Sequence, residues 1–440
     1  MATRMAARLP CCNTPVWSGT GRQNTMGHVT VIGAGIVGAS CARFLQKSGH
    51  ETTLIDRLEP GMGCSFGNAG VISGRGSSVQ PPGPDLLRDI PGMLFGSDAT
   101  VTIRWSYLLR FMPWLLAMTK GCTSADKQRT AAAMSDLLAG TQEAYDAVVR
   151  DTPADAFIRR NGSLGIYRTE EQFQADAGRR EANAALGAVQ EELSTEELRQ
   201  LEPSFTDAVP RAVYFPMSYS TTNPSLLTRA IADETVVAGG QVIQADVTGI
   251  RIENGRPTAV LSDQGEHPVD KLVVAAGAFS NQVARMMGIK VLLDTERGYH
   301  IEVPEVETRL SRPAIHYELA CGINPMTTGL RFAGTVEFAG VDGVENDDRA
   351  WSIWRRSCGL LKETQSVDDH FATVWMGCRP TMPDFRPVIG PAPGVSDCWF
   401  AFGHQHLGLT LGARTGEIVA EIVSGRDPGL DLAPFRADRF

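Results

Sequence analysis

Several common classes of protein leave signatures that this chain lacks. Its 440 residues carry 41 basic and 50 acidic side chains, a net charge of −9, so it has no basic surplus with which to bind nucleic acid. Its nine cysteines form no CxxC pair, and no cluster of cysteine and histidine has the spacing of metal ligands. This pattern indicates free thiols in a reduced compartment and no metal site. No apolar run approaches the roughly 20 residues that span a bilayer.

The first 27 residues differ from the rest of the chain. They contain Arg4, Arg8 and Arg22 and no acidic residue, a composition typical of a transit peptide. The alternative is an over-long start with Met26 as the true initiator. We favour this alternative, because the first predicted strand begins at His28 and leaves no room for a processing site after Met26. We therefore expect residues 1–27 to be disordered or to precede the true start.

The segment "HVTVIGAGIVGASCARFLQKSGHETTLIDR", residues 28–57, predicts a strand–turn–helix–strand unit. A buried strand at 29–32 precedes the glycines of a G-x-G-x-x-G motif, a helix follows at 36–48, and a second strand at 52–55 leads to Asp56. Glycine is abundant, at 45 of 440 residues, so the spacing alone is weak and the flanking elements carry the argument. In such a unit the glycines allow close approach of a pyrophosphate to the helix N-terminus, and Asp56 accepts from ribose hydroxyls. The alternative is a glycine-rich turn in an unrelated α/β fold.

This motif binds NAD and FAD alike, because both contain the same adenosine diphosphate half. FAD is favoured, since no second G-x-G-x-x-G follows and the chain closes on another glycine-spaced helix start at 403–416.

Four motifs resemble the D-amino-acid oxidase superfamily of FAD-dependent oxidoreductases, and among its members the bacterial D-amino-acid dehydrogenase type (small-subunit-like). They are "VIGAGIVGASCARFL" at 31–45, "GCSFGNAGVIS" at 63–73, "WMGCRPTMPDFRPVIGPAP" at 375–393 and "FGHQHLGLTLGARTGEIVAEIV" at 402–423. The resemblance spans most of the chain from residue 28 onward. It implies an α/β fold in which a Rossmann-like FAD-binding domain is interleaved with an antiparallel-sheet substrate domain. The expected FAD-binding segments are 28–80, 220–295 and 370–430, and the expected substrate or cap segments are 81–219 and 296–369.

The motif and the resemblance together predict the residues that contact FAD. The segment at 63–73 is expected to run along the isoalloxazine ring, and the helix that starts near residue 408 is expected to place its N-terminus beside the flavin pyrimidine, where reduced flavin is negatively charged. Val247 lies in the strand that commonly meets the adenine, although a core valine is an equally simple interpretation. The predicted FAD contacts are Gly33, Gly35, Gly38, Asp56, Arg57, Ser65, Asn68, Ala69, Gly70, Val247, Ala276, Gly277, Gly403, Gly408, Leu409 and Thr410.

Three residues are candidates for the substrate side. Arg379, in "GCRPTMP", is expected to bind the carboxylate of an amino acid, because a guanidinium presents two parallel donors. The alternative for Arg379 is a structural ion pair with Asp384. Tyr299 is expected to clamp the other carboxylate oxygen, unless it is an ordinary strand tyrosine. His406 occupies the loop position at which some relatives carry a basic residue near the substrate, whereas His404 is expected to anchor the backbone.

The resemblance implies oxidative deamination of a D-amino acid to a 2-oxo acid and ammonia, by hydride transfer from the α-carbon to flavin N5. The alternatives are a dehydrogenase or oxidase of a cyclic or N-methyl amino acid, such as D-hydroxyproline or sarcosine, an FAD subunit of a hetero-oligomeric amine dehydrogenase, and an NAD enzyme without flavin. Some relatives attach flavin to a cysteine near the motif that contains Cys378. That cysteine is displaced by one position here, so non-covalent FAD is expected.

A helical pattern at 104–120, "RWSYLLRFMPWLLAMTK", combines aromatic residues with flanking cations. It fits an interfacial helix that meets a membrane quinone pool, and equally a helix of the core. The resemblance to dehydrogenases favours quinone over oxygen as the electron acceptor. The expected location is therefore the cytoplasm with peripheral contact at the inner membrane, and the chain is expected to work alone, as a homo-oligomer or with another subunit.

Overall fold

The computed structural model describes residues 26–440 except 77–99, 121–122, 305, 307, 366, 368–369 and 371. The expectation for residues 1–25 lies outside the described residues. The helices, in chain order, are α1 Ile36–Lys47, α2 Leu108–Lys120, α3 Ser124–Leu138, α4 Thr141–Val149, α5 Glu170–Ala175, α6 Ala177–Ala185, α7 Thr195–Leu201, α8 Pro224–Val237, α9 Ser280–Met286, α10 Asp348–Ser357 and α11 Gly408–Val423. The strands are β1 His28–Ile32, β2 Glu51–Asp56, β3 Val71–Ile72, β4 Val101–Ile103, β5 Ile158–Arg159, β6 Ser163–Tyr167, β7 Glu191–Leu193, β8 Arg211–Phe215, β9 Tyr219–Thr221, β10 Gln241–Gln244, β11 Val247–Glu253, β12 Arg256–Ser262, β13 Gly265–Pro268, β14 Lys271–Val274, β15 Asp294–Val303, β16 Ala314–His316, β17 Cys321–Met326, β18 Gly329–Phe338, β19 Thr373–Thr381, β20 Val388–Pro391 and β21 Cys398–Phe402.

The predicted opening unit is confirmed. β1, α1 and β2 follow one another, and β2 pairs with β1 in parallel. They belong to a six-stranded sheet in the order β10-β2-β1-β14-β21-β20, which is parallel except for β20. The strand at 271–274 lies beside β1, so the two small-residue turns that follow these strands emerge at the same edge of the sheet.

Two helices from opposite ends of the chain pack closely on this sheet. A Cβ added at Gly412 of α11 would come within 2.9 Å of Ile36, and one at Gly416 would come within 2.6 Å of the Ser40 backbone. The glycine spacing of the last motif is therefore a packing requirement between α1 and α11. This contact brings the N-termini of both helices to the same end of the domain.

The second large sheet is mostly antiparallel and carries the other half of the molecule. Its main order is β19-β15-β18-β17-β16-β6-β8-β7, with β4 paired to β18. The long strands β15, β18 and β19 are the part of this sheet that faces the first sheet across the cavity. A separate three-stranded sheet, β11-β12-β13, includes a tight hairpin turn between β11 and β12, where Asn254 and Gly255 both have positive φ.

The two large sheets draw strands from segments that we assigned to different domains. Residues 294–302 of β15 pair with residues 373–381 of β19, so this part of the expected FAD-binding segment 370–430 is a strand of the antiparallel sheet. Buried residues of α3 and α4, such as Met134 and Tyr145, pack in one core with α1 and α11. Part of the expected cap segment 81–219 therefore packs with the dinucleotide-binding sheet. The order of the strands in the sequence does not give the domain of each strand, because both sheets combine strands from distant segments.

The helix expected at 104–120 is α2 together with a preceding 3-10 turn, and one side of it belongs to a core while the other is exposed. Phe111 and Trp114 are buried against β4 and β18, whereas Trp105, Leu109 and Leu116 are exposed by 56%, 87% and 54%. No helix within the described residues is long and apolar enough to cross a membrane.

Candidate active site

A cavity of about 950 Å³ lies between the two large sheets. It borders the turn after β1, the end of β2, the loop at 62–76, the turn after β14, the centres of β15, β18 and β19, and the start of α11. Most of the predicted FAD contacts and all three predicted substrate residues border this one cavity. The predicted site residues that border it are Gly35, Asp56, Arg57, Ser65, Asn68, Ala69, Ala276, Gly277, Tyr299, Arg379, His406, Gly408, Leu409 and Thr410.

The glycines of the first motif shape the cavity rather than fill it. Gly33 has φ +108°, and a Cβ there would lie 2.4 Å from the carbonyl oxygen of Ala275. A Cβ at Gly38 would lie 1.8 Å from the carbonyl oxygen of Gly33. Both positions exclude any side chain, and the close packing leaves the α1 N-terminus facing the cavity. Gly35 caps this helix without a side-chain hydrogen bond.

The end of β2 supplies a carboxylate and a cation to the cavity wall. Asp56 accepts hydrogen bonds from the N–H groups of Ala34, at 2.6 Å, and Leu58, at 2.9 Å, one on each carboxylate oxygen. Each oxygen keeps a further lone pair, as ribose hydroxyls would require. The guanidinium of Arg57 lies over the ring of Phe279, 3.9 Å from the ring centroid.

The loop at 63–70 is held in place by polar residues of the antiparallel sheet. Arg331 on β18 donates to the carbonyl oxygens of Phe66, at 2.8 Å, and Asn68, at 2.9 Å, and forms a buried ion pair with Glu302 at 2.7 Å. Asn324 on β17 donates to the carbonyl oxygen of Ala69 at 2.9 Å. The carbonyl groups of this loop are thus bound from one side.

The same loop contacts α1 and the aromatic residues beside it. Ser65 accepts from the N–H of Ile36 at 3.0 Å, which ties the loop to the first turn of α1. A Cβ at Gly67 would collide with the indole of Trp375, and the ring of Trp375 is stacked on His300 with 5.2 Å between centroids.

The start of α11 faces the cavity with no side-chain cap at its N-cap residue, Leu407. Thr410 fixes this turn, because its hydroxyl accepts from the N–H of Ser73, at 3.2 Å, and lies 3.3 Å from the Val71 carbonyl oxygen. The first N–H groups of a helix need a partner from outside the helix. An electron-rich ring edge is a suitable one.

Arg379 on β19 borders the cavity and is not paired with Asp384. Its Nη1 donates to the Thr335 carbonyl oxygen at 2.8 Å and its Nη2 to the Gly334 carbonyl oxygen at 3.4 Å. Asp384 instead binds Arg386 and Arg439, each at 2.7 Å, so the structural ion pair considered for Arg379 is wrong. A guanidinium has five N–H donors, so Arg379 retains donors for a ligand.

The strands around Arg379 are locally adapted to it. A Cβ at Gly298 of β15 would lie 2.1 Å from the guanidinium, so the arginine lies flat on this glycine. Thr335, whose carbonyl accepts from Arg379, has φ +57°, a strained conformation for a β-branched residue. The bulge in β18 turns two carbonyl groups toward the guanidinium and thereby orients it.

A buried carboxyl group, Glu296, lies behind Arg379. It stands directly opposite Arg379 in the pairing of β15 with β19 and is 3% exposed. Gln405 donates to its Oε1 at 3.1 Å, and His406 Nε2 lies 3.6 Å from its Oε2. Burial raises the pKa of Glu296 to about 7, although Arg379 lowers it.

His406 faces the cavity with 35% of its side chain exposed. Its depth in the protein and the charge of Arg379 lower its pKa to about 3, so the imidazole is neutral. His404 is buried, and its Nε2 lies 2.9 Å from the hydroxyl of Thr415, which agrees with an anchoring role.

Tyr299 borders the cavity, but its hydroxyl points away from Arg379. The side chain is 1% exposed, and the hydroxyl donates to Glu337 at 2.8 Å and accepts from the N–H of Asn346 at 3.1 Å. Neighbouring positions on a strand face opposite sides. Because Glu296 and Gly298 share the face of Arg379, Tyr299 belongs to the other face, and this placement argues against the expected carboxylate clamp.

The other predicted FAD contacts, Gly70, Gly403 and Val247, do not line the cavity. Gly70 and Gly403 have positive φ and are closed in by Asn324 and Met382 respectively. Val247 pairs with Ser262 in the small sheet, and its half-buried side chain packs against a neighbouring core. Within the described residues, no group of three His, Cys, Asp or Glu side chains is arranged to hold a metal ion.

Sequence reasoning missed Glu296, Gly298, Asn324 and Arg331. Gly298 had a signal, because a glycine within a strand often marks close approach of another group. Arg331 and Asn324 had a weaker one, since each interrupts a mostly apolar strand. Glu296 had none, because its burial depends on the pairing of β15 with a strand about 80 residues later.

The cavity therefore combines the wall of a dinucleotide site, with two uncapped helix starts and glycines that admit no side chain, and a wall that carries Arg379 and His406. These features fit FAD, the cofactor of a flavin-dependent oxidoreductase. The family model described as DAO, FAD dependent oxidoreductase, matches residues 28–422. The chain belongs to this family and is an FAD-dependent oxidoreductase.

Named relatives agree with this assignment. The chain is 34% identical to a D-amino-acid oxidase of Bradyrhizobium diazoefficiens, over 94% of this chain and 99% of that one. It is 30% identical to a D-amino acid dehydrogenase of Allorhizobium ampelinum, over 94% and 98%. Among solved structures, glycine oxidase from Bacillus cereus has the same fold, with a TM-score of 0.71, 19% identity and coverage of 94% and 99%. The fold class predicted from the sequence is thereby confirmed.

Proposed function

We propose that this protein oxidises a D-amino acid to the corresponding 2-oxo acid and ammonia, with Arg379 as the anchor of the substrate carboxylate. The observation that carries the proposal is the position of Arg379. It is a partly buried guanidinium with unused donors, and it borders the same cavity as the backbone segments suited to FAD. Relatives named D-amino-acid oxidase and D-amino acid dehydrogenase support the substrate class.

Each residue has a separate part in the proposed reaction. The residues expected to hold FAD are the first glycine motif, Asp56, the loop at 63–70 and the start of α11. When bound, FAD supplies the redox chemistry by accepting a hydride from the substrate α-carbon. Arg379 binds the carboxylate and so fixes the α-carbon in one orientation. The amine must lose its proton before the hydride leaves, and the imine product then hydrolyses in water.

The proposed attachment of FAD is non-covalent. Cys378 borders the cavity, but it is adjacent to Arg379 on β19, so its side chain faces the opposite side of the strand. Burial raises the pKa of its thiol, whereas Thr295 and Arg297, the residues on either side of Glu296 in β15, lower it. A colourless pellet and a yellow supernatant after acid precipitation would support this arrangement, and a yellow pellet would contradict it.

The function is tested by anaerobic mixing of the purified yellow protein with pairs of D- and L-amino acids, D-hydroxyproline and sarcosine. The expected result is bleaching of the flavin by D-amino acids and not by their L-enantiomers. Bleaching by sarcosine or D-hydroxyproline alone would move the substrate to the cyclic or N-methyl class. No bleaching of a flavin-loaded chain by any compound would favour a subunit that needs a partner.

The proposed electron acceptor is a membrane quinone, reached by peripheral contact of α2. The exposed Trp105, Leu109 and Leu116 lie at intervals of four and seven residues, so they share one face of the helical segment. The closely similar relative named an oxidase makes oxygen the competing acceptor. Stoichiometric peroxide formation in air would contradict the quinone proposal. Retained turnover with a soluble quinone, and loss of vesicle binding in Leu109→Ser/Leu116→Ser, would support it.

A further inference from the structure

The proposed reaction needs a proton acceptor for the substrate amine, and the cavity wall contains one pair of groups arranged for this step. His406 faces the cavity, and the buried Glu296, which does not border the cavity, lies beside the imidazole. Glu296 Oε2 is buried and has no hydrogen-bond partner within the described part of the chain. Such an unpaired buried oxygen is costly unless it serves a purpose.

We propose that His406 and Glu296 form a proton relay, in which His406 takes the proton of the substrate ammonium and passes its own Nε2 proton to Glu296. This inference rests on the proposed amine substrate. One N–H bond of the substrate breaks as Nδ1–H forms, and Nε2–H breaks as a carboxyl O–H forms on Glu296. The substrate changes from cation to neutral amine, the carboxylate becomes a neutral acid, and the imidazole ends neutral in its other tautomer.

The two ring nitrogens of His406 have different surroundings. Nε2 lies 3.6 Å from Glu296 Oε2, whereas Nδ1 has no hydrogen-bond partner among the described residues, and the imidazole borders the cavity. Catalytic hydrogen bonds are often longer before the substrate binds and shorten in the complex. Gln405 holds the other carboxyl oxygen at 3.1 Å, so Oε2 is the one left for His406.

The surrounding charges explain why two groups are needed. Arg379 on β19 lowers the pKa of Glu296, whereas Asp294, two residues before Glu296 on β15, raises it. Cys64, in the loop at 63–70, also lies near Arg379. With a pKa of about 3, His406 cannot retain a proton near neutral pH, but it can transmit one. The pKa of Glu296, about 7, suits the final acceptor.

The relay is tested by the rate of anaerobic flavin reduction as a function of pH in wild type, Glu296→Gln, Glu296→Asp and His406→Asn. In the wild type the rate should rise with pH and level off above about pH 7, where Glu296 is ionised. Glu296→Gln and His406→Asn should lose this limb, react about 10²-fold more slowly at neutral pH, and speed up only where the free amine deprotonates in water. Glu296→Asp should retain part of the limb.

The matched control is Glu202→Gln. Glu202 is also fully buried, but it binds Ser311 and Arg312 away from the cavity. It should keep the wild-type pH profile even if its stability falls. A Glu296→Gln protein that is yellow, folded and unchanged in its pH profile would overturn the relay.

A second readout does not depend on turnover. Infrared difference spectra of the FAD-loaded, substrate-free protein between pH 5.5 and 8.5 should show a carboxyl C=O band that titrates near pH 7, disappears in Glu296→Gln and shifts in His406→Asn. Absence of that band would also overturn the relay. Failure of every D-amino acid to reduce the wild-type flavin would reject the proposed function, while this spectrum would still decide whether the two groups share a proton.

Discussion

The two walls of the cavity are built from different materials. The wall suited to FAD consists mainly of backbone, small residues and helix starts, and its specificity comes from places where a side chain cannot fit, such as Gly33 and Gly38. The proposed substrate wall consists of charged side chains on paired strands, with Arg379 opposite Glu296. A site made of backbone depends on local sequence, whereas a site made of side chains depends on which strands meet. The two walls should therefore respond differently to mutation.

The largest effect, a loss of bound FAD, is expected at a glycine of the FAD wall that leaves no space for a Cβ atom. Gly38→Ala would place a Cβ 1.8 Å from the Gly33 carbonyl oxygen, so α1 must move away from β1. Overpacking of this kind costs about 1–3 kcal/mol or more, and the pyrophosphate turn would be displaced with it. The expected result is loss of bound FAD, measured by the ratio of flavin to protein absorbance. Gly178→Ala in α6, where a Cβ would meet no atom within 4 Å, is the control and should retain full FAD content.

A smaller loss of FAD, together with a larger loss of stability, is expected where one wall supports the other. Arg331→Met would leave Glu302 buried without its cation and release the carbonyl groups of Phe66 and Asn68. Breaking a buried pair costs about 3–5 kcal/mol. Chemical unfolding should show this loss, and the FAD dissociation constant should rise. The double variant Arg331→Met/Glu302→Gln should recover part of the stability but not the FAD affinity. Full recovery of both would mean that the loop at 63–70 does not need this support.

An intermediate effect is expected at the start of α11. Thr410→Val removes the acceptor of the buried Ser73 N–H group, which should lower the free energy of unfolding by about 1–3 kcal/mol. The melting temperature of the FAD-loaded protein measures this loss. Thr373→Val, at an exposed position of β19, should leave the melting temperature nearly unchanged. Equal melting temperatures for the two variants would contradict the anchoring role of Thr410.

The smallest effect on ligand binding is expected at Tyr299. Its hydroxyl faces Glu337 and Asn346, so Tyr299→Phe should lower stability by about 1 kcal/mol and leave the affinity for carboxylate ligands unchanged within about twofold. Spectral titration of the flavin with a carboxylate inhibitor measures this affinity. A loss of tenfold or more would restore Tyr299 as a carboxylate ligand.

The same contrast explains what the sequence could predict. The turn after β1, Asp56, the small residues at 63–70 and the helix start at 408 all occur within short segments whose local pattern is informative. The position of Arg379 at the cavity could be predicted because its motif is also local. Tyr299 was misplaced because the face of a strand residue depends on register, and an offset of one residue reverses it. Glu296 was missed because its neighbours Arg379 and His406 come from segments about 80 and 110 residues later.

Arg379 is proposed to bind the carboxylate of the substrate, and it lies on a different wall of the cavity from the residues expected to hold FAD. The most direct measurement compares wild type and Arg379→Met in their affinity for the best D-amino acid and for the amine that lacks its carboxylate, by anaerobic flavin titration. We expect Arg379→Met to keep its FAD, to lose about 2–5 kcal/mol of binding for the amino acid, which is about 30-fold or more, and to lose almost none for the amine. Equal losses for both ligands, or none for the amino acid, would contradict it.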